Sequence, residues 1–416
     1  MDTSPGAGRL RSAVSARFGG LPRSFWIVFS GMIANRIGTM VVPFLVFFLG
    51  ARGFSTELTG TIVIVLGFGG MFGPALGGLL ADRIGPRLTV IVGLALTPFS
   101  LGALYGAPNL VTLAIAAGLL GLTGTIYRPA SSALVAETVG PDGRVKAFSL
   151  LHWGFNIGTA VATGMAGFLA VRGYWLLFLV DGLTCLVYAV IVLVGIPPDR
   201  RAPAAERVHG IGYGVVFSDR LMVGYLVLSA VGITVYTQTE FTLPLAIRLD
   251  GLSPSVYGAV GALNAVLVVL LQPLLFGWLS KVDRIRVLAA SWVLIGAGVA
   301  GTGLADHLWQ YAITVVVWSI GEVVNGIVAG SIVADLAPPG ARGRYQGAFT
   351  WVWALARLAA PATAVGLFGT VGPAVLWWGC AVGGLLAGVA SIALGPAFAR
   401  RFAGNLESTP KQEATA

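Results

Sequence analysis

The sequence predicts an all-α membrane protein with twelve transmembrane helices, arranged as two pseudo-symmetric six-helix bundles. Of its 416 residues, 56% are hydrophobic and only 10% are charged, whereas a soluble domain carries about 25% charged residues. Apolar runs of about 20 residues recur from one end of the chain to the other, and this is the length that spans a bilayer as a helix. A transmembrane β-barrel would show alternating segments of about ten residues.

Twelve apolar runs define the predicted spans. They cover residues 24–50, 57–80, 88–106, 109–136, 144–170, 174–196, 220–248, 254–279, 286–304, 308–335, 344–368 and 373–396. The polar, arginine-containing segment 1–23 is followed by a full-length span, which favours a cytoplasmic tail over a cleaved signal peptide. The predicted organisation is therefore a tail (1–23), a first bundle (24–196), a linker (197–219), a second bundle (220–396) and a C-terminal tail (397–416).

The distribution of basic residues predicts the orientation. Twenty of the 26 Lys and Arg residues fall on the side of the two termini, and only Arg52, Arg172 and Arg248 fall on the other side. The positive-inside rule then places both termini in the cytoplasm, and we expect a bacterial inner membrane. The net charge of +9 follows from this topology and from the anionic inner leaflet, so we expect no nucleic acid partner.

Cysteine and histidine give no sign of a metal centre or a disulfide framework. Cys185 and Cys380 both lie inside apolar runs, and the chain has three histidines. No spacing among them matches a metal site. We expect no metal and no cofactor.

An internal repeat supports the division into two halves. The segment 135–144, after the fourth span, is echoed by 333–342, after the tenth span: each has an acid at a helix end, a turn with Pro and Gly, and an arginine that opens the next helix. Such repeats are typical of secondary transporters, in which the substrate site lies between the repeats near the bilayer midplane.

The connection between spans two and three is the most informative motif. Residues 77–88 pack one acid, two arginines and three glycines into twelve positions. This segment resembles the loop 2–3 signature of the major facilitator superfamily through Gly78, Asp82, Arg83 and Gly85, although Pro86 stands where a basic residue is usual. The resemblance extends over residues 24–396.

Within that superfamily, the chain looks most like bacterial twelve-helix, proton-coupled efflux transporters for drugs. Asn35 and Arg36 in span one, Asn264 in span eight and Glu322 in span ten carry this likeness. The span-five antiporter signature is present only in part, without its proline. The resemblance implies the major facilitator fold and proton-coupled export of small, largely apolar molecules by alternating access. The implied partners are a small-molecule substrate, protons and the lipid bilayer, and we expect a monomer.

Other functions remain as alternatives. One is proton-coupled uptake of a small metabolite, and another is a non-transporting membrane scaffold with this fold. An enzyme is not expected, because the sequence has no Asp-rich motif, no His–Cys cluster and no Ser/His/Asp set. No nucleotide-binding P-loop is present either, so ATP hydrolysis by this chain would not drive transport.

Ionisable residues inside the spans are the candidates for proton coupling and for the substrate cavity, because a charge in the membrane is costly and is therefore a functional hypothesis. These residues are Asp181, Glu240, Glu322, Arg36, Arg128 and Arg357. Glu322, near the middle of span ten, is the candidate proton carrier, and Arg357 is its expected partner. The alternative is a permanent structural ion pair between helices.

The remaining residues of this group have more open roles. Asp181 is expected to pair with Arg36, with a role as proton carrier as the alternative. Glu240 is expected to serve a cavity or gate, or else to be a solvated acid near a helix end. Arg36 and Arg128 are expected to hold an anionic substrate or assist proton release, with contacts to backbone carbonyls as the alternative. Four further residues complete the predicted cavity: Asn35, Tyr127, Tyr236 and Gln238.

Charged residues at the cytoplasmic face form a predicted gate. Its members are Gly78, Asp82, Arg83, Gly85, Glu137, Arg144, Asp335 and Arg342. Asp82 is expected to pair with Arg144, with Glu137 and Asp335 in the same network. Surface ion pairs are individually weak, but they can bias an equilibrium between two conformations that differ by a few kcal/mol.

Overall fold

The structure, a computed structural model, describes residues 20–139, 144–198, 214–279, 282–338 and 342–407. Within these ranges all regular elements are helical. Twelve helices are long and apolar enough to cross a membrane. The predicted all-α class and the twelve spans are therefore confirmed.

The helices follow the predicted spans in order, and we number them α1 to α12. They are α1 (Arg23–Gly38 and Val41–Ala51), α2 (Thr56–Ile84), α3 (Pro86–Gly106), α4 (Leu110–Thr138), α5 (Arg144–Arg172), α6 (Trp175–Gly195), α7 (Arg220–Leu249), α8 (Pro254–Leu279), α9 (Arg284–Gly301), α10 (Leu308–Leu336), α11 (Arg342–Thr370) and α12 (Pro373–Glu407). A short helix, Gly214–Ser218, precedes α7. The last helix continues beyond the predicted end of its span at residue 396.

The first span is interrupted, although the sequence predicts one continuous helix. Pro43 has no N–H and cannot bond to the carbonyl of Thr39 four residues earlier. The Thr39 hydroxyl donates to the Asn35 carbonyl at 2.9 Å. The carboxylate of Asp181 in α6 accepts a hydrogen bond from the Met40 backbone N–H at 3.1 Å. Asp181 therefore satisfies a donor at the start of the second piece of α1, as a capping side chain does.

The described residues form two compact units. The first unit takes its residues from Met1–Met40, Gly69–Ala162 and Leu177–Arg201, and the second from Val41–Phe68, Thr163–Leu176 and Ala202–Ala416. The second unit thus includes parts of α1, α2 and α5 from the predicted outer face. The division into bundles of 24–196 and 220–396 with a linker between them stays a prediction, and most of that linker lies outside the described residues.

Glycine allows helices of the second unit to approach closely at the predicted outer face. A Cβ added to Gly167 of α5 would lie 2.8 Å from the Cα of Gly258 in α8, and one added to Gly60 of α2 would lie 2.0 Å from a methyl of Val365 in α11. Small residues permit such backbone contacts between transmembrane helices. This part of the fold therefore depends on the absence of side chains at these positions.

We expect Gly167→Val to lower the stability of the folded protein by roughly 1–3 kcal/mol, because the new side chain would force apart two backbones in contact. The measurement is the midpoint of thermal unfolding in detergent. Gly102→Val is the matched control, because a Cβ at Gly102 meets nothing within 4 Å while the change in helix propensity is the same. Equal midpoints for the two variants would contradict the prediction.

Candidate functional site

Glu322 lies at the centre of the 29-residue helix α10 and is the middle of a polar cluster. Its Oε1 accepts a hydrogen bond from the Tyr236 hydroxyl at 2.7 Å, and its Oε2 accepts one from Asn264 Nδ2 at 2.7 Å. The same Asn264 nitrogen donates to Ser319 Oγ at 2.9 Å. We call Glu322, Tyr236, Asn264 and Ser319 the Glu322 cluster. All the partners of Glu322 in this cluster are neutral.

Packing fixes the orientation of the Glu322 cluster. The ring of Tyr236 packs edge-to-face against Trp318 at 6.0 Å and against Trp353 at 5.7 Å between ring centroids. Such aromatic contacts restrict the ring and direct its hydroxyl. Ser319 precedes Glu322 by three residues and therefore lies on the same face of α10. The sequence thus brings polar groups of α7, α8 and α10 together at mid-span.

Glu240 and Arg357 form a two-point ion pair beside this cluster. Arg357 Nε lies 3.0 Å from Glu240 Oε2, and Arg357 Nη2 lies 3.0 Å from Glu240 Oε1. The side chains are 49% and 46% exposed for Arg357 and Glu240. Charged side chains in transmembrane helices almost always face the bundle interior or a water-filled space. The pair is therefore placed where a polar molecule or water can reach it.

The ion pair corrects one expectation. Arg357 was expected to pair with Glu322, and that expectation is wrong, because Arg357 pairs with Glu240. Glu240 follows Tyr236 by four residues and shares its face of α7. The tyrosine hydroxyl occupies one carboxylate oxygen of Glu322, and the amide of Asn264 occupies the other.

The two glutamates differ in what a proton would do. Neutralising Glu240 would leave Arg357 without its counterion, and an uncompensated charge in the membrane is costly. Neutralising Glu322 breaks no ion pair among the described residues. The hydroxyls of Tyr236 and Ser319 can donate or accept, so the Glu322 cluster can satisfy either form of the carboxyl.

Two hydrogen bonds fix the side chain of Gln238. Its Nε2 donates to the Thr363 hydroxyl of α11 at 3.0 Å, and its Oε1 accepts a hydrogen bond from Thr242. The residue is 2% exposed. These contacts tie α7 to α11, and the predicted cavity role of Gln238 stays a prediction.

The first unit holds a second polar group around Asn35. The Tyr127 hydroxyl donates to Asn35 Oδ1 at 2.8 Å, and Asn35 Nδ2 donates to Cys185 Sγ at 3.2 Å. Tyr127 packs edge-to-face against the buried Tyr188 at 6.2 Å. Asn35 and Tyr127, both predicted cavity residues, are thus brought together, and Asn35 is 3% exposed.

Arg36 contacts α5. Its Nε donates to Thr159 Oγ1 at 2.8 Å, and its guanidinium carbon lies 3.8 Å above the ring centre of Phe155. Such cation–π contacts stabilise a partly buried guanidinium. The carboxylate of Asp181 reaches the backbone of Met40, as described above. Its predicted pairing with Arg36 stays a prediction.

Arg128 is exposed on α4. Its side chain makes no hydrogen bond or ion pair with any residue that the structure describes. Its predicted transport role stays a prediction.

The structure describes only part of the predicted cytoplasmic gate. Gly85 has a φ of 91°, a conformation that favours glycine, and it makes the sharp turn between α2 and α3. Asp82, Arg83 and Glu137 are exposed, and a Cβ at Gly78 would meet nothing within 4 Å. Asp335 pairs with Arg284 at the start of α9. The side chains of Arg144 and Arg342 lie outside the described residues, so the Asp82–Arg144 pair stays a prediction.

Several residues of these sites were not among the predicted ones. Asn264 and Ser319 complete the Glu322 cluster, and an amide in the middle of the apolar span eight is a signal that could have identified Asn264. Phe155 and Thr159, which hold Arg36, give no such signal, because aromatic residues and threonine are common in transmembrane helices.

Comparison with known proteins decides the family. The sequence profile of the Major Facilitator Superfamily matches residues 27–250 and 239–413. The chain belongs to the Major Facilitator Superfamily. Members of this superfamily bind small-molecule substrates and usually couple their movement to ions, and the protein is a multi-pass membrane protein.

Relatives within the superfamily differ in function. Multidrug resistance protein MdtH of Cronobacter sakazakii is 28% identical over 278 residues, which are 65% of this chain and 67% of MdtH. The Na⁺, Li⁺, K⁺/H⁺ antiporter of Planococcus maritimus is 23% identical over 77% of this chain and 84% of its own length. A crystal structure of a D-xylose–proton symporter has a TM-score of 0.68 with 18% identity, covering 88% of this chain and 96% of the symporter. The last comparison shows the shared fold.

The Glu240–Arg357 ion pair predicts that the effects of removing its two members on stability are not additive. We expect Glu240→Gln and Arg357→Gln each to lower the free energy of unfolding by roughly 1–3 kcal/mol, less than for a fully buried pair because both side chains are half exposed. The double variant should lose less stability than the two single variants lose together, because it leaves no uncompensated charge. Thermal or denaturant unfolding of the four proteins measures this, and strictly additive effects would refute the pairing.

A further ion pair, between Asp306 and the protonated form of His307, lies just outside the membrane-spanning part of α10. Asp306 hydrogen-bonds to the ring of His307. This contact raises the pKa of His307 above its ordinary value and lowers the pKa of Asp306. Because folding raises the pKa of His307 and lowers the pKa of Asp306, the pair stabilises the fold at pH values between the two. This contribution disappears as the pH rises through the raised pKa of His307, and also as the pH falls through the lowered pKa of Asp306.

We therefore expect Asp306→Asn to move the NMR titration of His307 to lower pH. The exposed pair lies away from the Glu322 cluster, so the same variant should leave the pH dependence of transport unchanged. An unchanged histidine titration would contradict the first expectation, and an altered transport profile would contradict the second.

Proposed function

We propose that this protein exports small, largely apolar molecules in exchange for protons, in a bacterial inner membrane, as a monomer with both termini in the cytoplasm. The single observation that carries the proposal is the Glu322 cluster. This carboxyl lies at the centre of a transmembrane helix, and its partners among the described residues are neutral. It can therefore gain and lose a proton without breaking an ion pair to any of them.

The cluster also supplies a way to couple the proton to a change in conformation. As a carboxylate, Glu322 accepts hydrogen bonds from Tyr236 of α7 and Asn264 of α8. As a carboxylic acid, it must find an acceptor for its own proton, so at least one of these contacts changes partner. Protonation therefore alters the hydrogen bonds between α10 and its two neighbours, and it biases the equilibrium between conformations.

The surroundings of the cluster suit a substrate with a large apolar surface. Trp318 and Trp353 pack against the ring of Tyr236, whose hydroxyl contacts Glu322, and the Glu240–Arg357 pair adds two charges. Pockets for small molecules combine mostly apolar walls with a few fixed polar groups. In this proposal the aromatic rings bind the substrate body, and the ion pair interacts with its polar groups.

The relatives support export more than uptake. One is named a multidrug resistance protein and another a cation/proton antiporter, and both are similar to this chain over most of its length. The symporter resembles it in fold at 18% identity, which carries no argument on direction. Proton-coupled uptake is the alternative. Transport measured in everted and in right-side-out vesicles distinguishes export from uptake.

The decisive experiment uses everted membrane vesicles that hold a proton gradient monitored by acridine orange fluorescence. Addition of a substrate from a panel of lipophilic compounds should dissipate the gradient if the protein exchanges substrate for protons. We expect Glu322→Gln to abolish this response, because the amide cannot carry a proton. Glu57→Gln, at the predicted outer end of α2, is the matched control and should retain the response.

Three results would contradict the proposal. If Glu322→Gln retains substrate-dependent proton release with unchanged pH dependence, Glu322 is not the coupling residue. If substrates instead enter right-side-out vesicles together with protons, the direction is uptake. If the unmodified protein moves no compound while its folding and insertion are intact, a non-transporting scaffold is the better interpretation.

A further inference from the structure

A groove on the second unit, between α9 and α12, is separate from the sites described above. Its volume is about 430 Å³, and its walls are entirely aliphatic. On α9 it is lined by Ala289, Ala290 and Val293, and on α12 by Leu385, Val389 and Ala393 among others. The larger side chains on this surface are about half exposed, for example Val389 at 57% and Leu385 at 55%. In a membrane-spanning chain, such a surface faces hydrocarbon.

Two arginines lie at the predicted cytoplasmic end of this groove. Arg286 precedes Ala289, Ala290 and Val293 by three, four and seven residues, so it lies on the same face of α9. Arg400 follows Ala393 by seven residues on α12, which remains helical through Pro396 to Glu407. Helical side chains tilt towards the N-terminus of their helix, so the side chain of Arg400 tilts back towards the groove.

Within the described residues, these two arginines differ from their neighbours in having no acidic side chain that pairs with the guanidinium. Arg284 pairs with Asp335, and Arg401 pairs with Asp219. Arg286 and Arg400 are exposed, and within the described residues neither guanidinium makes a hydrogen bond or an ion pair. One cation from each wall of the groove is therefore available to an external anion.

We infer that this groove binds an anionic phospholipid of the cytoplasmic leaflet, with an acyl chain between α9 and α12 and the phosphate between Arg286 and Arg400. The aliphatic walls match a hydrocarbon chain, and the two cations, which have no ion-pair partner among the described residues, lie at the predicted depth of the lipid phosphates. Basic pockets between transmembrane helices on the cytoplasmic side recognise anionic headgroups in this way. The inference does not rest on the proposed export function.

The test reconstitutes the full-length protein into phosphatidylcholine vesicles that contain phosphatidylglycerol with a photoreactive diazirine in its acyl chain. After illumination, we expect crosslinks on peptides that contain residues 289–293 and 385–393. The double variant Arg286→Gln/Arg400→Gln should lower this labelling on the order of tenfold, because each cation near an anionic headgroup contributes to binding. Ala290→Phe, which fills the groove, should lower it while keeping both arginines.

The matched control is Arg23→Gln/Arg220→Gln, which removes the same charge from two other exposed arginines at the predicted cytoplasmic face and should retain the labelling. Thermal unfolding shows whether each variant is folded. The inference is overturned if a phosphatidylcholine probe with the same chain labels these peptides equally well. It is also overturned if the Arg286/Arg400 variant labels like the control variant.

Discussion

The cost of a charge in the membrane is the constraint on which the described sites depend. The three acids that the sequence predicts inside the spans, Asp181, Glu240 and Glu322, each have a different kind of partner. Asp181 accepts a hydrogen bond from a backbone N–H at the break in α1, and Glu240 pairs with Arg357. Glu322 receives two hydrogen bonds from neutral side chains. The first two arrangements favour one fixed charge state, whereas the third can be satisfied with or without a proton.

The break in α1 links local sequence to the polar group of the first unit. Pro43 has no N–H to donate to the Thr39 carbonyl, and the helix is interrupted there. At this break the Met40 N–H donates to the carboxylate of Asp181 in α6. Asn35 and Arg36 lie in the last turn before this break. Their side chains reach Cys185 of α6 and Thr159 of α5, respectively. The interruption therefore allows α1 to present two polar side chains while a neighbouring carboxylate satisfies its backbone.

The sequence is sufficient to predict the fold but not the pairing of side chains within it. Hydrophobic length and the repeat at 135–144 and 333–342 depend on the chain alone, so the twelve helices were predictable. Which carboxylate Arg357 meets depends on rotations of α7, α10 and α11 that no periodicity encodes. That is why Glu322 was expected to have a charged partner. Asn264 was visible as a polar residue in an apolar span, but its bond to Glu322 requires the three-dimensional contact between α8 and α10.

The three arginines that depart from the positive-inside rule bear on the predicted orientation. Each has a contact within the protein: the guanidinium of Arg172 lies 3.5 Å above the ring centre of Phe168, that of Arg52 lies 5.7 Å from the ring centre of Phe48, and Arg248 donates to the Phe54 carbonyl at 3.3 Å. Gly50 leaves room for the guanidinium of Arg248, because a Cβ there would lie 2.2 Å from it. Their location is thus explained by cation–π contacts and a backbone acceptor. The positive-inside rule weighs loop charges during insertion, and these three arginines are outnumbered by the twenty basic residues on the side of the termini. The cytoplasmic location of the termini therefore stays a prediction that follows from this imbalance.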